Sequence, residues 1–258
     1  MLLVEKRGPV ARVTLDRPEV RNAFDDRLVA ELTHAFRNLD ADAEVRVVVL
    51  AGNGPAFCAG ADLNWMKRMA GYSHEQNVAD ARALAAMLNA LDHLSKPTIA
   101  RVHGPAFAGA TGLVAACDIA VGTPEAKFCF SEAKLGLSPA TISPYVIRAI
   151  GERAARRYFL TAEVFGAEEA HRLGLLSLLV PAGELDATID ALVEQLLAGG
   201  PVAHGKVKEL VRAVAARPID AAIIADTAKR IAEMRASPGG KEGIAAFLEK
   251  RKPSWTKK

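Results

Sequence analysis

Hydrophobic positions alternate with period two over Leu2–Leu15, with Val10, Arg12 and Thr14 on one face and their neighbours on the other. Gly8-Pro9 interrupts the run, which predicts a β-hairpin ended at Arg17-Pro18. The period then changes. Leu28, Leu32, Ala35, Phe36 and Leu39 fall on one helical face, with Asp25 or Asp26 placed to cap it. Val45–Ala51 is almost continuously apolar, as a strand covered on both faces would be, so strand, helix and strand imply a crossover unit. A small-residue loop from Gly52 leads to a short helix near Leu63–Met69, and a longer helix, Glu75–Leu94, ends at Lys96-Pro97. Strands are expected at Thr98–Val102, Ile119–Val121, Lys127–Phe130 and Leu175–Val180. From Ser143 helices dominate: Pro144 in a first turn, Gly151 ahead of Glu152–Leu160, and Glu168–Leu173 stopped by Gly174. After Pro181 the pattern is helical throughout, over Glu184–Ala198, Val202–Ala216, Ile219–Ala236 and Glu242–Lys250. The expected organisation is an α/β core over residues 1–195 and a helical region over 196–258 that covers its own core or a neighbouring subunit.

At 258 residues, half of them apolar, the chain has ample material for one large domain. A net charge of +3 is too weak to imply nucleic acid but suits a small anionic ligand. Charges at Glu5, Lys6 and Arg7 interrupt what a signal peptide would need, and no 18-residue apolar run occurs; no membrane partner and a cytoplasmic location are expected. Cys58, Cys117 and Cys129 lack metal or redox spacing and read as buried free thiols. No metal site is expected, since Val78 stands where the second histidine after His74-Glu75 would be needed.

Two stretches of small residues enter helices directly after strands, at Ala59–Asp62 and at Phe107–Gly112. Small residues let ligand atoms approach unpaired N–H groups at a helix start, where the helix dipole favours negative charge. Close helix–strand packing would select the same residues, so both readings stay open at this point. Gly104–Thr111 has the glycine spacing of a phosphate loop, but Ala110 occupies its lysine position, which excludes phosphate cradling of that kind. There is no Gly-x-Ser-x-Gly. His103 abuts the central turn and is a candidate for a supporting role. Glu132 follows an apolar strand, where its charged form would be disfavoured and its pKa drawn towards neutrality; a surface helix-start residue is the alternative.

In order and spacing, Phe57-Cys-Ala-Gly-Ala-Asp-Leu, Val102-His-Gly-Pro-Ala-Phe-Ala-Gly-Ala, Ala116-Cys-Asp-Ile-Ala and Ser131-Glu-Ala-Lys-Leu-Gly-Leu resemble the enoyl-CoA hydratase/isomerase (crotonase) family. The resemblance runs from the Arg17–Ala23 turn to the Phe247–Pro253 ending. It implies a spiral of ββα units with a C-terminal helical trimerisation region, a homotrimer or dimer of trimers, and an acyl-CoA thioester substrate. It further implies that the N–H groups of Ala61 and Gly109 form an oxyanion hole, with Glu132 as acid/base. Arg21, Ala23, Ala59, Ala61, Asp62, Leu63, Asn64 and Gly109 would bind substrate and CoA. No cofactor is implied, coenzyme A being part of the substrate.

One departure bears on the chemistry. Typical hydratases of this family carry two glutamates around the attacking water; the second is Glu132, and the first would fall at Gly112. Residues 135–163 resemble the bacterial methylglutaconyl-CoA hydratases, which also tend to have glycine there. The expectation is an enoyl-CoA hydratase, acting on a branched or carboxylated substrate such as methylglutaconyl-CoA. An isomerase with Glu132 as sole base is the alternative, followed by a non-catalytic acyl-CoA-binding protein.

Overall fold

The computed structural model describes residues 1–256. The chain opens with the hairpin β1 (Leu2–Arg7) and β2 (Val10–Leu15), turning at Gly8 with φ 57°. Asp25 caps α1 (Asp26–Ala41) by accepting from the Leu28 N–H, and the predicted apolar stripe of this helix is buried. Then come β3 (Val47–Gly52), α2 (Leu63–Met69), α3 (His74–Asp92) and β4 (Thr98–Val102). They are followed by β5 (Ala106–Phe107), α4 (Gly109–Ala116), β6 (Ile119–Gly122) and β7 (Lys127–Cys129). The long α5 (Ser143–Thr161) breaks at Gly151, whose φ of 76° leaves the helical region. After it come β8 (Phe165–Gly166), α6 (Ala167–Leu173), β9 (Leu178–Leu179) and α7 (Leu185–Ala198). The tail is α8 (Pro201–Val214), α9 (Ala221–Ala236) and α10 (Pro238–Leu248).

Six strands form the larger sheet in the order β1-β2-β3-β4-β6-β9, parallel from β2 onward. Every residue of β3 is buried, as its unbroken apolar run implied. Val47 and Val49 pack with Leu185, Ile189 and Val193 of α7 on one face, while Val48 and Leu50 join the main core on the other. Residue 195, the expected limit of the core, thus lies inside α7, and the chain leaves the sheet at Gly199-Gly200.

The strand expected over 175–180 is reduced to Leu178–Leu179. Leu175 and Leu176 are buried, yet their N–H groups donate back to the Ala170 carbonyl at the end of α6. Burial without strand pairing gives the same apolar run. The tail is tied to its own core. Lys208 of α8 donates to Asp118 at 2.7 Å, Arg46 donates to the carbonyls of Gly199 and Trp255, and the Trp255 indole donates to that of Ala198.

A smaller sheet, β5-β7-β8, runs beside the larger one. Isolated bridges extend it, Cys58 pairing with Ala106 and Phe24 with Ala61, both parallel.

Candidate active site

Residues 57–62 run in parallel register between residues 22–24 and 105–107. The Cys58 N–H donates to Pro105 and the Phe107 N–H to the Cys58 carbonyl, both at 3.1 Å. On the other side the Phe24 N–H donates to Gly60, and the Asp62 N–H donates to Phe24, both at 2.9 Å. In an extended segment successive N–H groups face opposite ways. With Gly60 and Asp62 both engaged to Phe24, the Ala61 N–H faces the β5 side.

There the pairing has ended. Ala108, at φ 50° and ψ −123°, donates its N–H to Cys129 at 2.7 Å and turns the chain from β5 into α4, whose first residue is Gly109. Among the described residues neither the Ala61 nor the Gly109 N–H has a hydrogen-bond partner. A first-turn N–H has none within its own helix, and the dipole there favours negative charge.

Two glycines permit this approach. Gly60 has φ 94°, and a Cβ on it would lie 2.9 Å from the Phe107 carbonyl oxygen. A Cβ on Gly109 would lie 2.5 Å from Cζ of the buried Phe24 ring.

Because β7 is parallel to β5, the chain leaves both strands at one edge. Glu132 sits there, in the 3-10 turn Ser131–Leu135 that follows β7. Its Oε2 is buried without a partner, one of three such side-chain atoms among the described residues and the only one on a carboxyl group. Burial pushes its pKa up from the usual carboxylate range, partly offset by its own backbone N–H. Lys134, two residues on, is turned away and donates to Ala162 at 2.6 Å.

On α4, the space a side chain at Gly112 would need is filled. A Cβ there would lie 2.8 Å from the Ile142 Cβ, closer still to its Cγ2, and 3.6 Å from Cδ2 of Leu88. The position of the expected first glutamate is therefore walled by buried aliphatic side chains.

The other predicted contact residues divide into two groups. Arg21 is exposed with φ 53°, and Leu63 and Asn64 are exposed on the first turn of α2. By contrast, Ala23, Ala59 and Asp62 have their polar groups engaged within the protein. The Ala59 N–H donates to Arg21, and the Ala23 carbonyl accepts from Arg17. Asp62 is 6 % exposed; one carboxylate oxygen caps α2 by accepting from Asn64 and Trp65, and the other accepts from Arg17. An acidic residue just before a short helix is an N-cap signal, and it would have assigned this carboxylate a structural partner.

His103 donates from Nε2 to the Gly54 carbonyl at 2.8 Å and so fixes the Gly52–Pro55 loop. Cys58 and Cys129 are buried, Cys117 is half-buried, and all three are free thiols; burial pushes Cys58 and Cys117 up to about 12. A separate groove of about 430 Å³ lies between β1 and α1, but its charged Lys6 and Asp42 pair with each other.

Two backbone donors and one half-buried carboxyl group, its Oε2 covered, lie at a single sheet edge and suit an oxygen that gains negative charge beside a proton transfer. The enoyl-CoA hydratase/isomerase family model matches residues 5–258. The chain belongs to this family. A Shewanella pealeana enoyl-CoA hydratase of solved structure superimposes with a TM-score of 0.96 at 43 % identity, over 98 % of this chain and 95 % of that one. A Thermus thermophilus protein provisionally named as an enoyl-CoA hydratase is 39 % identical over 254 residues, covering 98 % of this chain and 99 % of its own. Enoyl-CoA hydratase EchA19 of Mycobacterium tuberculosis is 34 % identical over 255 residues, covering 98 % and 95 %. The crotonase fold expected from the motifs is thus shared across the whole chain. The sequence of this family member did not point to Arg17, which hydrogen-bonds Ala23 and Asp62, nor to Phe24 and Ile142, which pack against Gly109 and Gly112.

Proposed function

We propose that this enzyme adds water to the double bond of an enoyl-CoA thioester, with Glu132 as the single proton-transferring side chain. The pairing of the free Ala61 and Gly109 N–H groups with the unpartnered Glu132 carboxyl carries the reading. Ionised Glu132 takes a proton from water as its oxygen attacks the β-carbon. The displaced electron pair moves through the conjugated system to the thioester oxygen, where the two N–H groups stabilise it by a few kcal/mol each. Glu132 then returns the proton to the α-carbon, the C=O reforms, and one water has been added with no net change in the enzyme. A pKa raised by burial brings both protonation states of Glu132 nearer to neutrality.

The thioester itself acidifies the α-carbon, so this route needs no cofactor beyond the coenzyme A of the substrate. The finer substrate in this proposal is a branched or carboxylated enoyl-CoA such as methylglutaconyl-CoA, on the resemblance of residues 135–163. A homotrimer or dimer of trimers in the cytoplasm belongs to the same proposal; Val207, Val211, Ile231 and Phe247 expose apolar surface on the tail helices that an assembly would cover.

Double-bond isomerisation is the second reading, favoured by the aliphatic wall at Gly112. One base suffices there, moving a proton from one end of the system to the other. Assays on crotonyl-CoA, methylglutaconyl-CoA and a 3-enoyl-CoA separate the two. Hydration of either 2-enoyl thioester is expected. Migration of the 3-enoyl double bond with no hydration would replace the hydratase reading by the isomerase one, and thioester affinity without turnover would replace both.

A further inference from the structure

A charged side chain ties together the two segments that flank the Ala61 N–H. The Arg17 guanidinium is about one-fifth exposed and spans both segments that set this N–H. Its Nη1 donates to the Ala23 carbonyl at 2.7 Å and to Asp25 at 3.2 Å, and its Nη2 donates to Asp62 at 3.1 Å. Ala23 precedes Phe24 and Asp62 follows Ala61, so one planar side chain fastens the two sides of the Phe24–Ala61 bridge.

The rest of the segment reinforces it. The Arg17 N–H donates to the Asn22 side chain, whose amide donates onward to the carbonyls of Asn53, Ala56 and Phe57. Phe24 lies against Gly109 and, at a centroid distance of 6.1 Å, against Trp65.

We infer that Arg17 is a positioning residue for the reaction, setting the Ala61 N–H donor by holding Asp62 with one nitrogen and the Ala23–Asp25 turn with the other. This rests on the oxyanion reading proposed above. Two carboxylates, Asp25 and Asp62, approach the same guanidinium within 3.2 Å. Without it they would repel each other, and because Asp62 is adjacent to Ala61 and its other carboxylate oxygen is held by the Asn64 and Trp65 N–H groups, that repulsion is passed to the backbone that carries Ala61. Lysine restores the charge but not the planar fork that spans both carboxylates. A misplacement of about 1 Å at a donor costs on the order of a hundredfold in rate.

The test uses the full chain, Arg17→Met and Arg17→Lys, with cinnamoyl-CoA as a probe whose carbonyl stretch and absorbance report polarisation of the thioester. Wild type should lower the stretch and redden the absorbance on binding. Arg17→Met should lose most of both shifts and ten- to a hundredfold in kcat, with KM and the cinnamoyl-CoA Kd changed less than threefold. Arg17→Lys should fall between and keep the wild-type melting behaviour more closely, so it carries the test if Arg17→Met does not fold. Full carbonyl shifts in the folded variants, or equal losses in kcat and affinity, would overturn the role of Arg17. No shift in wild type would instead overturn the oxyanion reading, so the two failures are distinct.

Discussion

Gly112→Ala puts the aliphatic wall beside α4 to a quantitative test. The added methyl would stand 2.8 Å from Cβ of Ile142, an atom one bond from backbone, and closer still to Cγ2. Carbon atoms need 3.5–4.0 Å, so relief requires a shift of about 1 Å in a side chain that is 1 % exposed. Overpacking of that kind costs about 1–3 kcal/mol, at the upper end here because a rotamer change of Ile142 cannot move its Cβ. Against it stands the gain from replacing glycine in a helix, about 1 kcal/mol. The net expectation is a loss of about 1–2 kcal/mol, which in a chain of this size lowers the melting temperature by roughly 3–6 °C. Ile142→Ala alone should cost about 2–5 kcal/mol. Because it removes Cγ2, the nearer of the two clashing atoms, and loosens the packing that holds Cβ, the double variant should be more stable than the sum of the single losses by about 1 kcal/mol. Urea titrations of the four proteins measure this cycle. A stabilised Gly112→Ala, or additivity within about 0.5 kcal/mol, would refute the packing argument and reopen the space for a second carboxylate.

Three further expectations follow from the same geometry. Glu132→Gln should lower kcat at least about a hundredfold; because burial raises the folded-state pKa above 4.5, that group's stabilisation is present at low pH and lost as pH rises through the raised value. The neutral variant should therefore melt higher relative to wild type at pH 8 than at pH 4, and the acidic limb of the wild-type rate profile should lie above pH 4.5; the reverse order of melting would contradict the burial argument. Ala108→Gly should stabilise the chain by about 1 kcal/mol, since a non-glycine residue at φ 50°, ψ −123° carries about 1–3 kcal/mol of strain and the added backbone freedom costs less; a lower melting temperature would show that the turn is unstrained. Lys208→Met should cost about 1–2 kcal/mol, because a lysine 9 % exposed is the cation on Asp118 while Asp118 itself stays solvent-accessible and bonded to Thr98, and an unchanged urea midpoint would show that α8 docks without it.

Much of the fold was legible because local signals agreed. The Gly8 turn, the Asp25 cap, the limits Leu63–Met69 and the break at Gly151 each depend on a residue whose backbone or capping preference acts within a few positions. Leu175–Val180 misled because apolarity reports burial, and burial was met there by chain returning to α6 rather than by pairing. Of the smaller sheet only β7 was legible, as the strand expected over Lys127–Phe130; β5 and β8 stayed hidden because each is two residues long and the remaining rungs are single bridges.

At the site, the motif residues could be named from resemblance, whereas their supports could not. Ile142 meets Gly112 across thirty positions, and Arg17 meets Asp62 across forty-five. Neither pair leaves a local pattern. Asp62 was the exception, its capping role being readable from the helix it precedes.

The placement of both proposed oxygen-binding donors on the main chain also governs what genetics can see. Exchanging the side chain of residue 61 or 109 leaves its N–H in place unless proline is introduced. A scan through these positions would therefore report shape and crowding, and the chemical group itself would escape every codon change except one to proline, which also alters the backbone. Deleting the donor alone calls for an ester in place of the amide, built by semisynthesis. What lineages can inherit or lose at this edge is the spacing between two segments, so divergence should concentrate in the residues that set the gap.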